Sequence, residues 1–455
     1  MEKAIILAAG KGSKMWPYNV IRPKCMLPVG NEPLLAHQIR ILRNLGITQI
    51  RVAAHHKIEK IQHYFRNDPS LDIQDVGPTK GTAETLRKGL EGITDTQVMV
   101  LYGDIIYAEA DLQSLLKCTE PSALVGKRKE SGKNHIGCTL DGQGEYVKEI
   151  LGHSREKTSH QFLGFAFPLE WTSKLGNSSA YFPRVDVGVM PPEEVYLEGV
   201  LSDVVEDGIK LMAVQASGPW QDLDKPWHLL ESNYAQAIIT CRELRANQLE
   251  EGAHIDKSAH LCGFVRLGKN SSIGRNVIVE GNLWVGDNTQ IDAGAFLKGE
   301  NCIGDNCLIG YGCYIDKGSV VGNRCKVLHG AELSGVLLDN VYLYHYMEIA
   351  GIVGENTDIG AGTVCGSLRF DDSFQTQQVK GRRENLKSQE LANACYIGDH
   401  CRTGINAILL PGVKAGTGSI VGPGVMLSED LEDEKLLLLQ QSLIKKDWST
   451  DKYGW

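Results

Sequence analysis

Eleven residues near the start of the chain, LAAGKGSKMWP at positions 7–17, place small residues at a turn beside two glycines and two lysines. A strand ending in Ala8, Ala9 and Gly10 lets backbone amides approach a ligand closely. A loop continuing through Gly12 can aim several N–H groups at one phosphate. Lys14 and Lys24 add mobile positive charge to the same stretch. The spacing fits neither the Walker pattern nor the dinucleotide fingerprint. On these residues alone, an ordinary strand-to-helix turn stands beside the phosphate cradle as an alternative.

Such groups need rigid elements to position them. From residue 1 to about 230, short apolar runs alternate with helical stretches. KAIILAAG reads as a buried strand, EPLLAHQIRILRNLG as an amphipathic helix closed by glycine, and ITQIRVAA as a second strand; TAETLRKGLEGI and QVMVLYGD repeat the helix-then-strand order. This alternation predicts a parallel sheet covered by helices, with ligands at the carboxyl ends of strands. The glycine loop and the YGD of Asp104 both fall at such ends. PWHLLESNYAQAIITCRELRANQLEEG (226–252) then reads as a helical connector.

Beyond it the pattern changes. From Ile255 to Leu333 an aliphatic residue stands at every sixth position, fourteen times without a break. A six-residue period fits neither a helix nor a plain strand, but it fits a solenoid whose coils have flat six-residue faces. Glycine often follows the aliphatic residue, as at Gly268, Gly286 and Gly304, where tight corners call for permissive backbone. Cys307, Cys313 and Cys325 fall at the small-residue position of the repeat and read as inward-facing core, not as metal ligands. The register falters after Leu333, is interrupted by a polar loop at about 366–394, and returns at Ile397. The closing EDEKLLLLQQSLIKKDW reads as a short helix with an apolar face. The predicted division is residues 1–228, a helical linker 229–252, the solenoid 253–428 and a C-terminal helix and tail 429–455.

Composition narrows the function classes. A chain of 455 residues exceeds what one core usually supports. Its 50 glycines, above the usual share of about 7%, are largely absorbed by the solenoid corners. A net charge of -9 argues against a nucleic-acid or anionic-membrane partner, so a phosphate ligand must be met by local cations and amides. The N-terminal apolar run is too short to span a bilayer and lacks a cleavable signal pattern, which makes the cytoplasm the expected location. None of the 12 cysteines forms a CxxC pair.

Quoted further, LAAGKGSKMWPYNVIRPKCMLPVGNEPL resembles the signature of the sugar-1-phosphate nucleotidylyltransferases. LAAGKG followed by methionine is most similar to the uridylyltransferases acting on N-acetylglucosamine 1-phosphate. The resemblance continues, in order, through KGTAET (80–85), LYGD (101–104), WQDLD (220–224) and the hexapeptide repeats. It implies an α/β Rossmann-like nucleotidyltransferase domain followed by a left-handed parallel β-helix. It implies transfer of a nucleotidyl group from a nucleoside triphosphate, UTP or dTTP, to a sugar 1-phosphate, with pyrophosphate leaving. By the same resemblance Lys14 and Lys24 are catalytic, Asp104 and Asp222 hold Mg²⁺ with Asp224 as the substitute, and Ala8, Ala9, Gly10, Gly12, Gly81, Thr82 and Gly137 contact substrate. Such proteins form homotrimers, and some also acetylate an amino sugar phosphate.

The chain departs from that pattern at identifiable positions. Lys14 stands where the family has arginine, keeping the charge but losing the bidentate fork. Thr79 replaces a glutamine near the base, and Gly152 and Phe162 replace sugar-contacting glutamate and asparagine, leaving base and hexose open. In the acetylating relatives, a histidine base, a tyrosine and an asparagine align with Tyr344, Met347 and Ser367, and His345 is one residue off. The β-helix is therefore expected to be a scaffold with an eroded acyl-transfer site. Two alternatives are a non-catalytic regulatory protein, and an acyltransferase acting through the β-helix.

Overall fold

A computed structural model describes residues 3–94, 97–127, 136–152, 158–168, 171 and 196–448. In the N-terminal half, the strands Lys3–Ala8, Gln49–Ala54, Leu71–Asp75 and Gln97–Tyr102 run parallel. Ala4, Ile5, Ile6 and Val98 to Leu101 are wholly buried. Continuous burial on both faces is what a parallel sheet under helices requires, and it explains why these strands read as unbroken apolar runs. The helices Leu34–Asn44 and Thr82–Gly89 cover it, each turning an apolar stripe inward.

The purely parallel sheet expected from the alternation holds on one side only. His160–Pro168 pairs antiparallel with Gln97–Tyr102 and with Ser122–Lys127. It also pairs antiparallel with Ile136–Leu140, which pairs antiparallel with Val147–Gly152 in turn, so this side of the sheet is mixed.

The solenoid is a β-helix with three columns of parallel strands. Leu249, Leu267, Val285, Ile303 and Val321 stack in one column at intervals of 18 residues, three six-residue steps. Ile255, Ile273 and Ile291 lie in the second column, and Leu261, Val279 and Leu297 in the third. The small residues stitch corners together. Ser271 Oγ, Thr289 Oγ1 and Cys307 Sγ each donate to a glycine carbonyl of the next coil, at 2.6, 2.7 and 3.0 Å. All 12 cysteines are free thiols, and burial pushes Cys313 up to about 11. Cys307, Cys313 and Cys325 act as small core groups of the coils, while Cys262 is exposed.

The faltering register has a local cause. Val321 pairs with Leu337 and Leu337 with Val353, so two coils run 16 residues instead of 18. Each loses a corner, and the strands Glu332–Leu337 and Glu348–Val353 pass straight through it. Gly335 (φ +152°) and Gly351 (φ +136°) sit in these strands, where a Cβ would lie about 2 Å from the next coil's carbonyl oxygen. The polar interruption carries a hairpin, Thr376–Val379 with Arg382–Asn385, and a helix Gln389–Asn393.

Two other expectations are corrected. The linker helix spans Pro226–Arg242, and Gln248–Leu249 already pairs with the next coil, so the solenoid starts before residue 253. No helix occurs within 429–448: Leu431 and Leu437 keep the six-residue register and extend the columns through Ala415 and Val421, which captures the segment as solenoid. Residues 449–455 lie outside the described residues. Among the described residues, no helix is long and apolar enough to cross a membrane.

Candidate active site

The first carboxylate follows the strand Gln97–Tyr102 directly. Gly103 N–H donates to the Leu7 carbonyl at 2.9 Å, tying this strand end to the start of the glycine loop. A second carboxylate reaches Asp104 through a two-residue ladder, in which Gln221 and Asp222 pair antiparallel with Ile106 and Ile105. Leu223 N–H closes it on the Asp104 carbonyl at 2.9 Å. Asp104 and Asp222, 118 positions apart in sequence, are neighbours because of these few backbone bonds.

Lys24 is the hub. Its Nζ lies 2.7 Å from Asp104, 3.9 Å from Asp222 and 3.8 Å from Asp224. Its stem packs on Gly12, where a Cβ would sit 2.9 Å from Lys24 Cβ and where φ is +58°, so only glycine fits. Lys14 Nζ bonds Asp224 at 3.1 Å, and Lys225 Nζ bonds the same oxygen at 2.9 Å. Burial opposes the Lys24 charge, but the three aspartates outweigh it and hold the ammonium above the ordinary lysine range. Burial raises Asp104 above the usual carboxylate range, against the pull of Lys24 and with the repulsion of Asp222. At Asp224 burial acts upward too, but Lys24, Lys225 and Lys14 prevail and hold it well below that range. Neighbouring carboxylates with pKa values driven apart are typical of a working site.

The structure thus brings together Lys14, Lys24, Asp104 and Asp222, with Ala8, Ala9, Gly10 and Gly12 forming the loop beside them. Space for a Cβ around Gly10 is open, leaving the loop backbone accessible there. Gly81 and Thr82 are occupied differently. Gly81 (φ +103°) precedes the helix Thr82–Gly89, and Thr82 Oγ1 accepts from Leu197 N–H at 2.9 Å and donates to Glu198 at 3.4 Å. Thr79 Oγ1 bonds Thr85 Oγ1 at 2.8 Å. Gly137 is a packing position, since a Cβ would fall 2.3 Å from Thr158 Oγ1. Phe162 is buried against Tyr102 and Phe165, so that place is apolar core. His153 and Ser154, next to Gly152, lie outside the described residues.

Asp224, expected only as a substitute ligand, holds Lys14, Lys24 and Lys225, and Arg22, Lys225 and Glu198 join the residues expected from the motifs. Asp224 and Lys225 had a signal in the alternating carboxylates and the lysine of WQDLDK, whereas nothing in the pattern marked buried Glu198, which accepts from the Tyr102 hydroxyl at 2.6 Å.

At the acyl-transfer positions, Met347 is 3% exposed within the coil core and Tyr344 is 37% exposed. His345 stacks on His329 with ring centroids 4.0 Å apart.

Residues 4–164 match the family described as a MobA-like NTP transferase domain. Residues 300–331 and 396–429 match the hexapeptide repeat of succinyl-transferase. A Methanococcus maripaludis protein named bifunctional protein GlmU is 33% identical over 97% of this chain and 98% of its own. A Methanocaldococcus jannaschii protein of the same name is 28% identical over 97% and 98%. A Sulfurisphaera tokodaii protein named bifunctional sugar-1-phosphate nucleotidylyltransferase/acetyltransferase is 25% identical over 94% and 98%.

Proposed function

The chain belongs to the family of GlmU-type bifunctional sugar-1-phosphate nucleotidylyltransferases, and from that premise we propose that it makes a nucleoside diphosphate sugar from UTP or dTTP and a sugar 1-phosphate. The observation that carries the reading is the convergence of Lys24 on Asp104, Asp222 and Asp224, with Lys14 on the rim. A sugar phosphate oxygen attacks the α-phosphorus in line, the bond from that phosphorus to the bridging oxygen breaks, and pyrophosphate leaves with the electron pair. No side chain need form a covalent bond. The work of the protein is positioning and neutralisation of charge.

The residues divide that work by their place. Backbone amides from Ala9 to Gly12 face the triphosphate, with Lys14 and Lys24 supplying the cations that a chain of net charge -9 otherwise lacks there. The family uses a divalent metal, and the donor set fits Mg²⁺, because Asp104 and Asp222 present carboxylate oxygens toward one point now met by the Lys24 ammonium. Among the described residues no three His, Cys, Asp or Glu side chains form a ready metal cage, so the ion would rest on these two carboxylates and on substrate oxygens. When bound, Mg²⁺ supplies further neutralisation of phosphate charge. We place the protein in the cytoplasm as a homotrimer, with nucleoside triphosphate and sugar 1-phosphate as its partners.

The hexapeptide half fits the acetyl-transferring part of the bifunctional relatives. We read it here as a scaffold with an eroded site, supported by Met347 in the core and Tyr344 on the surface. The competing reading rests on His345, whose Nδ1 is buried without a hydrogen-bond partner among the described residues. Acetyl transfer to an amino sugar phosphate that disappears in His345→Ala would establish that reading.

The primary test is pyrophosphate release by the full-length protein with Mg²⁺, across the common nucleoside triphosphates and a panel of sugar 1-phosphates. Release with at least one pair is expected; none with any pair transfers the conclusion to a regulatory protein.

A further inference from the structure

The glycine loop is pressed into the flank of the β-helix. Met15, Tyr18 and Leu27 are buried in one cluster with Val320, Ile352 and Tyr396. Removing these side chains from water favours the contact, so the loop and the coils hold one another. Polar contacts set the register. The Tyr18 hydroxyl donates to the Ile352 carbonyl at 3.0 Å, the Thr417 hydroxyl to the Pro17 carbonyl at 3.0 Å, and Trp16 Nε1 to Asp433 at 2.9 Å.

At the centre of this contact is Arg22, two residues before Lys24. Its buried guanidinium grips both oxygens of Asp399, at 2.8 and 3.1 Å, and reaches Glu355 at 2.9 Å. Asp399 also accepts from Glu355 N–H at 2.8 Å. A bidentate pair out of water adds little net stability relative to an apolar replacement, but it fixes orientation tightly. A second tie approaches from the carboxylate side. Lys225, 2% exposed, bridges Asp224 at 2.9 Å and Glu384 at 3.5 Å, and Glu384 belongs to the hairpin inserted into the β-helix. Asp224 in turn holds Lys14.

We propose that the β-helix is the jig of the nucleotidyl site: Asp399 and Glu355, through Arg22, and Glu384, through Lys225, are positioning residues that hold Lys14 and Lys24 against the carboxylates. The kinetic consequence rests on the nucleotidyl-transfer reading, while the structural consequence stands without it. The two halves of the chain are then one machine for one reaction, whatever else the solenoid does.

The test compares full-length Asp399→Asn, Glu355→Gln and Glu384→Gln with Arg402→Gln, an exposed control that pairs with Asp358 at 3.6 Å elsewhere on the β-helix. Each is followed by thermal unfolding, amide hydrogen exchange and pyrophosphate release against nucleotide concentration. Faster exchange confined to residues 10–31 is expected in the Asp399 and Glu355 variants, with the strand Lys3–Ala8 unchanged. A loss of about tenfold in kcat for Asp399→Asn and about threefold for Glu384→Gln is expected, with KM moved less, because sub-ångström misplacement acts on the chemical step. Glu384 is 28% exposed, so its variant remains informative if Asp399→Asn fails to fold. Unchanged loop exchange and kinetics in folded Glu355→Gln and Glu384→Gln, or loosening spread evenly over both halves, overturns the proposal. If the wild type releases no pyrophosphate with any pair, the functional reading fails, and the exchange data alone decide the positioning.

Discussion

The lysine–aspartate cluster of the proposed nucleotidyl site and the β-helix corner at residues 344–347, where the resemblance aligns an acyl-transfer site, differ sharply in this chain. In the first, Lys24 lies within 4 Å of three carboxylates. In the second, Met347 fills the coil core and Tyr344 stands on the surface, at the two positions that the resemblance aligns with a tyrosine and a histidine. The difference follows from how each region is stabilised. A coil is held by its inward aliphatic residue and by its neighbours, so outward chemical groups can change while the solenoid persists. In the α/β half, the loop that carries the lysines is also packed against the solenoid, so its residues hold structure and site together.

The largest expected effect separates the two regions directly. Asp104→Ala or Asp222→Ala should lower pyrophosphate release by about a thousandfold, the range for removing one preorganised electrostatic group, with little change in unfolding temperature. Near-normal turnover by both variants would sink the assignment of this cluster as the reactive site.

The converse substitution sharpens the β-helix side. Ile309 is wholly buried between Ile291 and Val327 of the adjoining coils. Ile309→Ala should cost about 2–5 kcal/mol in denaturant unfolding through lost burial and the cavity left behind. Tyr344→Ala, on the surface, should stay within about 0.5 kcal/mol. Equal costs at the two positions would mean that Tyr344 is doing something the scaffold reading omits.

What could be read in the sequence follows the same divide. The solenoid was legible because every coil repeats one requirement, an aliphatic residue in each six, and that requirement is local. Its defects were legible only as a lost register, since dropping a corner at Gly335 and Gly351 depends on backbone meeting backbone across coils. The C-terminal segment misled because LLLL carries no period of its own; strand pairing with Val421 decided it. Lys24, Asp104 and Asp222 were recognisable by resemblance in motif. The Lys14–Asp224 and Arg22–Asp399 pairs were not, because contacts 210 and 377 residues apart leave no spacing to detect.

A smaller effect probes the charge network through pH. The lysines hold Asp224 below its usual range, so its folded pKa is lower than its unfolded one. The stability this contributes is fully present above about pH 4, the unfolded value, and is lost as pH falls through the lower folded value. Acid unfolding of Asp224→Asn should therefore have a shallower slope below about pH 4 than the wild type. Asp104, shifted upward chiefly by burial, contributes with the opposite sign, so Asp104→Asn should not flatten the curve. Indistinguishable acid limbs for Asp224→Asn and wild type would show that the three lysines do not depress this carboxylate.

The smallest expected effect concerns Lys14, which stands where the resemblance leads to an arginine. Its side chain is 34% exposed and makes a single bond to Asp224 at 3.1 Å, so an ammonium there presents one point of charge to substrate. An arginine has a planar fork that can keep a carboxylate on one edge while offering the other edge to two phosphate oxygens. Lys14→Arg should then raise kcat by about threefold, roughly the worth of one additional exposed charge-assisted contact, and leave the unfolding temperature unchanged. Comparison with the same substitution in Asp224→Asn separates causes. A gain that persists there comes from grip on the phosphates, and a gain that vanishes comes from better anchoring to the carboxylate. A fall in kcat with the fold intact would mean that the pocket around residue 14 is shaped for lysine, and that the substrate differs from the family's at the phosphate-bearing end.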